Sequence, residues 1–209
     1  ACLTLALDVQ NKQMVANTIK NLPSQWLAID ILLNNAGMSA SSDKIQDSDI
    51  EGWETMIDTN IKGLLYVTRN ILPGMIERNS GQIINISSVA AEGYYARGNV
   101  YGATKHAVKA ITKNLCIDLM GTGIRVNEVA PGAVATEFSE VRWNDKKRSD
   151  EFYKGFTPLQ AEDIANAVVY CASQPEHVNI SQITVLPTDQ PTVNYLHRKE
   201  SAGADIFSE

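Results

Sequence analysis

Five short apolar runs alternate with longer segments in which apolar residues recur every three or four positions. The runs lie at residues 2–9, 29–37, 81–87, 124–131 and 181–188. Their apolar residues are continuous rather than alternating, which is typical of strands that are buried on both faces. The pattern therefore predicts five strands of a parallel sheet.

Helical periodicity fills the segments between these runs, at residues 11–22, about 49–77, about 99–120 and 160–173. Pro73 is predicted to kink the second helix or to mark its last turns. Residues 38–48 and 88–98 are predicted loops, and residues 133–158 are polar and are expected to be irregular. Alternating strands and helices predict a doubly wound parallel sheet, a Rossmann-type three-layer α/β/α fold. We expect one domain over residues 1–198 and a disordered tail over 199–209.

The composition narrows the possible functions. The chain has 209 residues, 44% of them hydrophobic, and a net charge of −6 without a basic run, which argues against nucleic acid as a partner. No apolar run reaches membrane-spanning length. The three cysteines are scattered, so we expect reduced thiols in a cytoplasmic protein. The three histidines lack ligand spacing, so no catalytic metal is expected.

Polar residues and glycines follow the predicted strands. Asp8, the segment 34–37 (Asn-Asn-Ala-Gly), Ser87-Ser88 and Pro131-Gly132 each stand at a strand end. Taken singly, Asp8 and the serines could be helix caps and the other segments ordinary turns. Ligands of doubly wound sheets bind at the carboxyl ends of the strands, so the four segments together favour a ligand site.

Tyr101 and Lys105 open the helix that follows the third of these strand ends. Their spacing of four residues places them on one helical face, where an ammonium can favour the phenolate and lower the pKa of a tyrosine. The same pair could equally be two surface side chains, because a motif this short also arises by chance.

Five motifs together resemble the short-chain dehydrogenase/reductase superfamily. They are "NNAG" (34–37), "TNIKG" (59–63), "INISS" (84–88), "YGATK" (101–105) and "PGAVAT" (131–136), and the resemblance extends from Ala6 to about Arg198. Within the superfamily, "TEFSEVRW" and "HVNI" are similar to the NADP-dependent 3-hydroxy acid dehydrogenases, which include serine and allo-threonine 3-dehydrogenases. The resemblance implies hydride transfer between NADP and a small secondary alcohol or carbonyl.

The resemblance also implies a role for four catalytic residues. Tyr101 would be the general acid/base, and Lys105 would lower its pKa and hold the nicotinamide ribose. Ser88 would hold the substrate oxygen against Tyr101. Asn60 would distort its helix and support a proton relay, whereas the alternative for Asn60 is an ordinary exposed helix residue.

A further set of residues is implied for the cofactor, which is NADP, with NAD as the other possibility. These residues are Asp8 and Val9 at the adenine, Asn35, Ala36 and Gly37 at the adenosine ribose, and Pro131, Gly132, Val134 and Thr136 at the nicotinamide carboxamide. Tyr101 and Lys105 would also contact the cofactor. Residues 137–158 would form a mobile lid over the substrate.

The chain departs from the family at its beginning. It lacks the first strand, the glycine-rich phosphate-binding turn and the second strand, and its only Gly-x-Gly is at 121–123, in the wrong order to bind a pyrophosphate. Residues 2–9 then correspond to a third strand without a neighbour, and we expect apolar sheet edges to be left unpaired. We therefore expect the natural polypeptide to be longer. The alternative function is a non-enzymatic dinucleotide-fold fragment or sensor.

A 3-hydroxy acid substrate would require a cation in the site, because a desolvated carboxylate without a partner is costly. Arginine suits this role best, since its planar group can meet both carboxylate oxygens. Arg142 is the first candidate and Arg97, in the loop before Tyr101, is the second. The alternative for each is a solvated surface arginine.

Two of the predicted helices are apolar on more than one face. They are the helices around residues 50–77 and 99–120, with Leu64, Leu65, Val67, Ala107, Val108, Ile111 and Leu115. More apolar surface than one sheet can cover indicates a protein partner. The resemblance implies that the two helices pair across a two-fold axis, so we expect a homodimer or homotetramer.

Overall fold

The computed structural model of the protein describes residues 1–199 and contains one parallel sheet of four strands. The strands are β1 (Ile31–Asn34), β2 (Gly81–Ile86), β3 (Ile124–Pro131) and β4 (Gln182–Val185), hydrogen-bonded in that order. Four of the five predicted strands are thereby confirmed. The predicted disordered tail lies, from residue 200 onward, outside the described residues.

Seven α-helices precede and connect these strands. They are α1 (Lys12–Lys20), α2 (Ile50–Ile57), α3 (Leu64–Arg78), α4 (Asn99–Asp118), α5 (Phe138–Trp143), α6 (Lys146–Phe152) and α7 (Ala161–Ala172) within residues 1–199. A π-helical segment at Asp58–Gly63 joins α2 to α3, and Pro73 lies in the last two turns of α3, as predicted. Within the same described range, no helix is both long enough and apolar enough to cross a membrane.

Helices cover both faces of the sheet. On one face, Leu32, Ile83 and Val126 from β1–β3 pack against Met75 of α3 and Leu119, which follows α4. On the opposite face, Ile84 and Val129 pack against Cys171 of α7, all three of them fully buried. Burial on both faces explains the continuous apolar runs in the sequence. The predicted three-layer, doubly wound fold is confirmed.

The predicted strand at residues 2–9 is wrong. Residues 1–8 carry no regular structure, and Leu3, Leu5 and Leu7 are exposed. A strand exists only where a neighbouring strand completes its hydrogen bonds, and within residues 1–199 none lies beside this segment. On the exposed edge strand β1, Ile31 and Leu33 are also open to solvent, as predicted for an unpaired apolar edge.

The segment expected to be irregular, residues 133–158, contains α5 and α6. Asn144 joins them in a left-handed conformation with φ of 47°, and the Asp145 side chain then accepts a hydrogen bond from the amide of Arg148 at the start of α6. The Trp143 and Phe152 rings hold the two helices together at 5.4 Å between centroids. Helices of six and seven residues are too short to show a helical periodicity in the sequence. Helices of this length are not stable alone, so aromatic packing stabilises α5 and α6.

Candidate active site

Tyr101 and Lys105 lie on the inner face of α4, against the carboxyl end of β2. Both side chains are buried, with exposures of 7% and 6%. The Lys105 Nζ donates a hydrogen bond to the Ile86 carbonyl at 3.1 Å and lies 5.9 Å from the centre of the Tyr101 ring. The spacing of four residues thus brings both groups to the end of one strand, and the surface-pair alternative is wrong.

Asn60 lies inside the π-helical segment and is 2% exposed. Its Nδ2 donates to the Met38 carbonyl at 2.8 Å and to Thr104 Oγ1 at 3.0 Å, while its Oδ1 accepts from the Met38 amide at 2.8 Å. Asn60 therefore ties the loop after β1 to α4, and the alternative of an exposed helix residue is wrong. π-Helical segments are frequent at functional sites.

Gly37 brings the main chain close to these side chains. A Cβ at this position would lie 3.2 Å from Lys105 Nζ and 3.4 Å from Asn60 Oδ1. Any other residue would press on the lysine ammonium, so the glycine permits a close approach of the backbone. Asn35 and Ala36, just before it, are exposed. This arrangement leaves the end of β1 accessible beside Lys105.

Asp8 and Val9 lie outside the sheet, at the turn that precedes α1. Asp8 is exposed and its Oδ1 accepts a hydrogen bond from the Gln10 amide at 3.0 Å. Asn11 caps α1, because its side chain accepts from two amides of the first turn. Asp8 is therefore not the N-cap of that helix, and its carboxylate instead stabilises a short turn at the surface.

The loop after β3 is held from two sides. The Gly132 amide donates to the Val185 carbonyl at 2.7 Å, and the Val134 carbonyl accepts from the Tyr153 hydroxyl at the same distance. Thr136 Oγ1 accepts from the Phe138 amide at 3.3 Å. Residues 131–136 thus run between β4 and the helical segment α5–α6, with Pro131 buried at the end of β3.

Ser88 faces both Tyr101 and the loop after β3. Its Oγ accepts from the Ala90 amide at 3.1 Å and lies 3.5 Å from the Pro131 carbonyl. Next to it, Ser87 is buried and donates to the Glu128 carboxylate at 2.6 Å. The strand end is therefore anchored in the sheet, which fixes the position of the Ser88 hydroxyl.

Burial decides the protonation of the buried pair. It raises the pKa of Tyr101 to about 12, although the Ser88 hydroxyl and the Arg142 guanidinium oppose the rise. Burial also lowers the pKa of Lys105 to about 8. Lys105 is not among the groups that shift the pKa of Tyr101 in the protein alone, where desolvation outweighs the charge of Arg142, and the lowering of that pKa by Lys105 stays a prediction. Tyr101 therefore keeps its proton at neutral pH.

The two candidate arginines lie in different environments. Arg142, on α5, is half-buried, and its charge acts on Tyr95, Tyr101 and Tyr153. Arg97 is exposed and lines a surface cavity of about 750 Å³ together with Lys44, Tyr94 and His106. Of the two arginines, Arg142 is the one whose charge acts on Tyr101, so the structure does not bring Arg97 to the site.

Several side chains around Tyr101 could not be identified from the sequence. Phe138 lies 5.6 Å from the Tyr101 ring between centroids, and Tyr95 and Val193 pack in the same apolar cluster. The Trp143 indole donates to Ser42 at 2.7 Å, which holds α5 over the loop after β1. Tyr95, Val193 and Ser42 belong to no quoted motif, and although Phe138 and Trp143 lie within "TEFSEVRW", nothing in that stretch predicts their contacts. Long-range packing alone brings these side chains together.

Comparisons with known proteins identify the family of the chain. The short chain dehydrogenase family matches residues 1–147. An NADP-dependent 3-hydroxy acid dehydrogenase of Salmonella typhi is 48% identical over 190 residues, which cover 90% of this chain and 77% of that protein. Sulfoacetaldehyde reductase 2 of Chromohalobacter salexigens is 46% identical over 189 residues, 90% of this chain and 75% of that protein.

Solved structures lead to the same group. A closed form of serine dehydrogenase complexed with NADP+ has a TM-score of 0.87 and 43% identity, and the match covers 97% of this chain and 79% of that one. Serine dehydrogenase from Escherichia coli has a TM-score of 0.76 and 42% identity, with 88% and 75% covered. The protein therefore belongs to the short-chain dehydrogenase family.

Proposed function

We propose that this protein transfers a hydride between NADP(H) and a small 3-hydroxy acid or the corresponding carbonyl compound. The observation that carries the acid substrate is Arg142. Its Nε is buried and has no hydrogen-bond partner among residues 1–199, although its charge acts on Tyr101. A buried donor without a partner is costly, and the accessible part of this half-buried guanidinium is the group that a substrate carboxylate would meet.

The names of similar proteins support this substrate class and cofactor. A 3-hydroxy acid dehydrogenase and a sulfoacetaldehyde reductase both act, by name, on small molecules that carry an acid group. The first is named as NADP-dependent, and the serine dehydrogenase structure contains NADP+. A single arginine facing the general acid would suit either a carboxylate or a sulfonate.

The residues present fit the nicotinamide end of such a cofactor. Gly37 brings the backbone after β1 close to the Lys105 ammonium, which would hold the nicotinamide ribose, and residues 131–136 would offer backbone groups at the end of β3. Asn35, Ala36, Asp8 and Val9 would serve the adenosine half. NADPH, when bound, supplies the hydride.

The chain's own residues supply the proton and the orientation. Ser88 donates a hydrogen bond to the substrate carbonyl oxygen and holds it against Tyr101. Tyr101, protonated because of its raised pKa, gives its proton to that oxygen as the alcohol forms. The Lys105 ammonium lies beside the Tyr101 ring. Asn60 links α4, which carries both residues, to the loop after β1. A non-enzymatic sensor would have no need for all four groups together.

Replacing Arg142 with methionine tests the acid substrate. We expect KM for 3-hydroxy acids to rise by roughly tenfold to a hundredfold, since a hydrogen-bonded ion pair contributes about 1.5–3 kcal/mol. For uncharged alcohols of similar size, KM should change by less than about threefold, because they form no ion pair. Steady-state kinetics with both substrate types measures this difference.

Arg148→Met is the matched control, because Arg148 also lies over the Trp143 ring, at 5.0 Å, but is exposed. It should leave both KM values close to those of the wild type. Equal losses on acids and alcohols in Arg142→Met would remove Arg142 from substrate binding and would overturn the proposed substrate class.

We also propose a symmetric homodimer or homotetramer built on α3 and α4. The structure corrects part of the premise, because Leu64 and Val108 are buried in the core of the protein itself, and Val67 and Leu115 pack against that core. The outer faces nevertheless expose Leu65 and, near the end of α4, Ile117 at 60%. Exposed apolar side chains on adjacent helices favour a self-complementary contact.

Leu65→Arg should convert the oligomer into monomers at micromolar concentration, since an arginine would be buried without a partner at the two-fold axis. Sedimentation velocity measures the change. Leu27→Arg, at an exposed apolar position outside these helices, should leave the oligomer intact. A folded wild-type protein that sediments as a monomer would refute this assembly.

A further inference from the structure

The segment after β4 forms a closed loop beside the site. The His197 amide donates to the Asp189 carbonyl at 2.8 Å, which closes a loop over residues 189–197. At its start, Gln190 is 8% exposed and its Oε1 accepts from the Ala133 amide at 2.8 Å. This bond attaches the 189–197 loop to the segment after β3.

The far side of the 189–197 loop is attached to the helical segment above the site. The Arg198 guanidinium lies over the rings of Phe152 and Phe156, at 5.7 Å and 5.3 Å from their centres. The Lys199 amide donates to the Gly155 carbonyl at 2.6 Å. Because both ends are fixed, the loop holds its tip in one place.

Val193 occupies that tip and turns inward. It packs against the apolar cluster of Met56, Ala90 and Tyr101. A Cβ on Gly93 would lie only 3.0 Å from Val193 Cγ1, so the contact between the two segments is tight. Its neighbours Thr192 and Asn194 are exposed. A single apolar side chain from this loop therefore reaches the surroundings of the general acid.

We propose that Val193 is a specificity-determining residue, which forms one wall of the substrate pocket and limits the size of the group attached to the reacting carbon. This inference rests on one part of the proposed function, namely that Tyr101 is the group that contacts the substrate oxygen. A wall of fixed backbone and one branched side chain discriminates by size, because a longer substrate clashes with it.

Two variants change the wall in opposite directions. Val193→Ala enlarges the pocket and Val193→Phe fills it. The substrates are 3-hydroxy acids with methyl to butyl groups on the reacting carbon, and a matched series of uncharged 2-alkanols, each assayed with NADP. We expect Val193→Ala to raise kcat/KM for the butyl member relative to the methyl member about tenfold, and Val193→Phe to lower it by a similar factor.

Val193→Thr keeps the shape and should retain the wild-type ratio, and Asn194→Ala, at the exposed neighbouring position, should do the same. A ratio that stays at the wild-type value in Val193→Ala, with unchanged thermal unfolding, would overturn the inference. The two substrate series separate this inference from the proposed function. If the wild-type enzyme oxidises the alcohols but not the acids, the acid substrate is refuted. The butyl-to-methyl ratio of kcat/KM among the alcohols still reports on Val193 in that case.

Discussion

Tyr101→Phe is expected to lower kcat by roughly a hundredfold to ten-thousandfold, the range of a lost general acid. The substitution keeps the ring, which packs 5.6 Å from Phe138 between centroids, and removes only the hydroxyl that faces Ser88. Because the apolar contacts remain, cofactor binding and folding should change little. The loss should therefore appear in the chemical step.

The pKa of Tyr101 gives this prediction a pH dependence. With a pKa of about 12, the hydroxyl is protonated throughout the neutral range, so carbonyl reduction should not depend on the titration of Tyr101 between pH 6 and 9, about three units or more below that pKa. Alcohol oxidation requires the phenolate and should accelerate as the pH rises. This rise of the oxidation rate with pH should disappear in Tyr101→Phe.

Single-turnover kinetics and a fluorescence titration with NADPH separate the chemical step from binding. Tyr170→Phe is the matched control, because Tyr170 is an exposed tyrosine on α7, and it should retain full turnover. If Tyr101→Phe kept a kcat within tenfold of the wild type, Tyr101 would be a packing residue and the acid would have to be sought elsewhere.

Lys105→Met is expected to abolish turnover and yet to stabilise the fold at pH 7. Burial lowers the pKa of Lys105 from 10.5 to about 8, so below pH 8 the folded protein holds a desolvated ammonium. Each pKa unit corresponds to about 1.4 kcal/mol, so the free energy of unfolding should rise by about 1–3 kcal/mol in the variant. The lower limit allows for the lost hydrogen bond to Ile86.

The sign of this effect sets its pH window. Above pH 10.5 the lysine is neutral in the folded and unfolded chains, so the stability that depends on a neutral Lys105 is fully present. As the pH falls through about 8, that stability is lost, because the unfolded chain binds the proton more readily than the folded one. The advantage of Lys105→Met should therefore be largest below pH 8 and should vanish near pH 10.5.

Urea denaturation of both proteins across this range measures the difference. Lys109→Met is the control, since Lys109 lies one turn further along α4 and pairs with Glu92 at 2.7 Å, partly in solvent. That variant should lose no more than about 1 kcal/mol, as for other exposed ion pairs. A Lys105→Met protein that is less stable than the wild type at pH 7 would show that the burial of Lys105 is not a net cost.

The sequence by itself determined the elements whose signal is local. Continuous apolar runs predicted β1–β4, and the two central strands, β2 and β3, show the reason most clearly, because they are buried on both faces. The spacing of Tyr101 and Lys105 determined that they share one helical face, and the motif at residues 59–63 singled out Asn60. The predicted strand at residues 2–9 is wrong because a strand forms only beside another strand. The local sequence pattern does not show whether such a neighbour is present.

Only the tertiary structure decided the electrostatics and the walls of the site. The sequence pairs a tyrosine with a lysine, but whether charge or desolvation prevails depends on how deeply other elements bury them, and here burial raises the pKa of Tyr101. In the same way, only packing distinguishes Arg142, which faces Tyr101, from the exposed Arg97. The placement of Val193 depends on contacts between segments about a hundred residues apart, and such contacts leave no periodic signal in the chain.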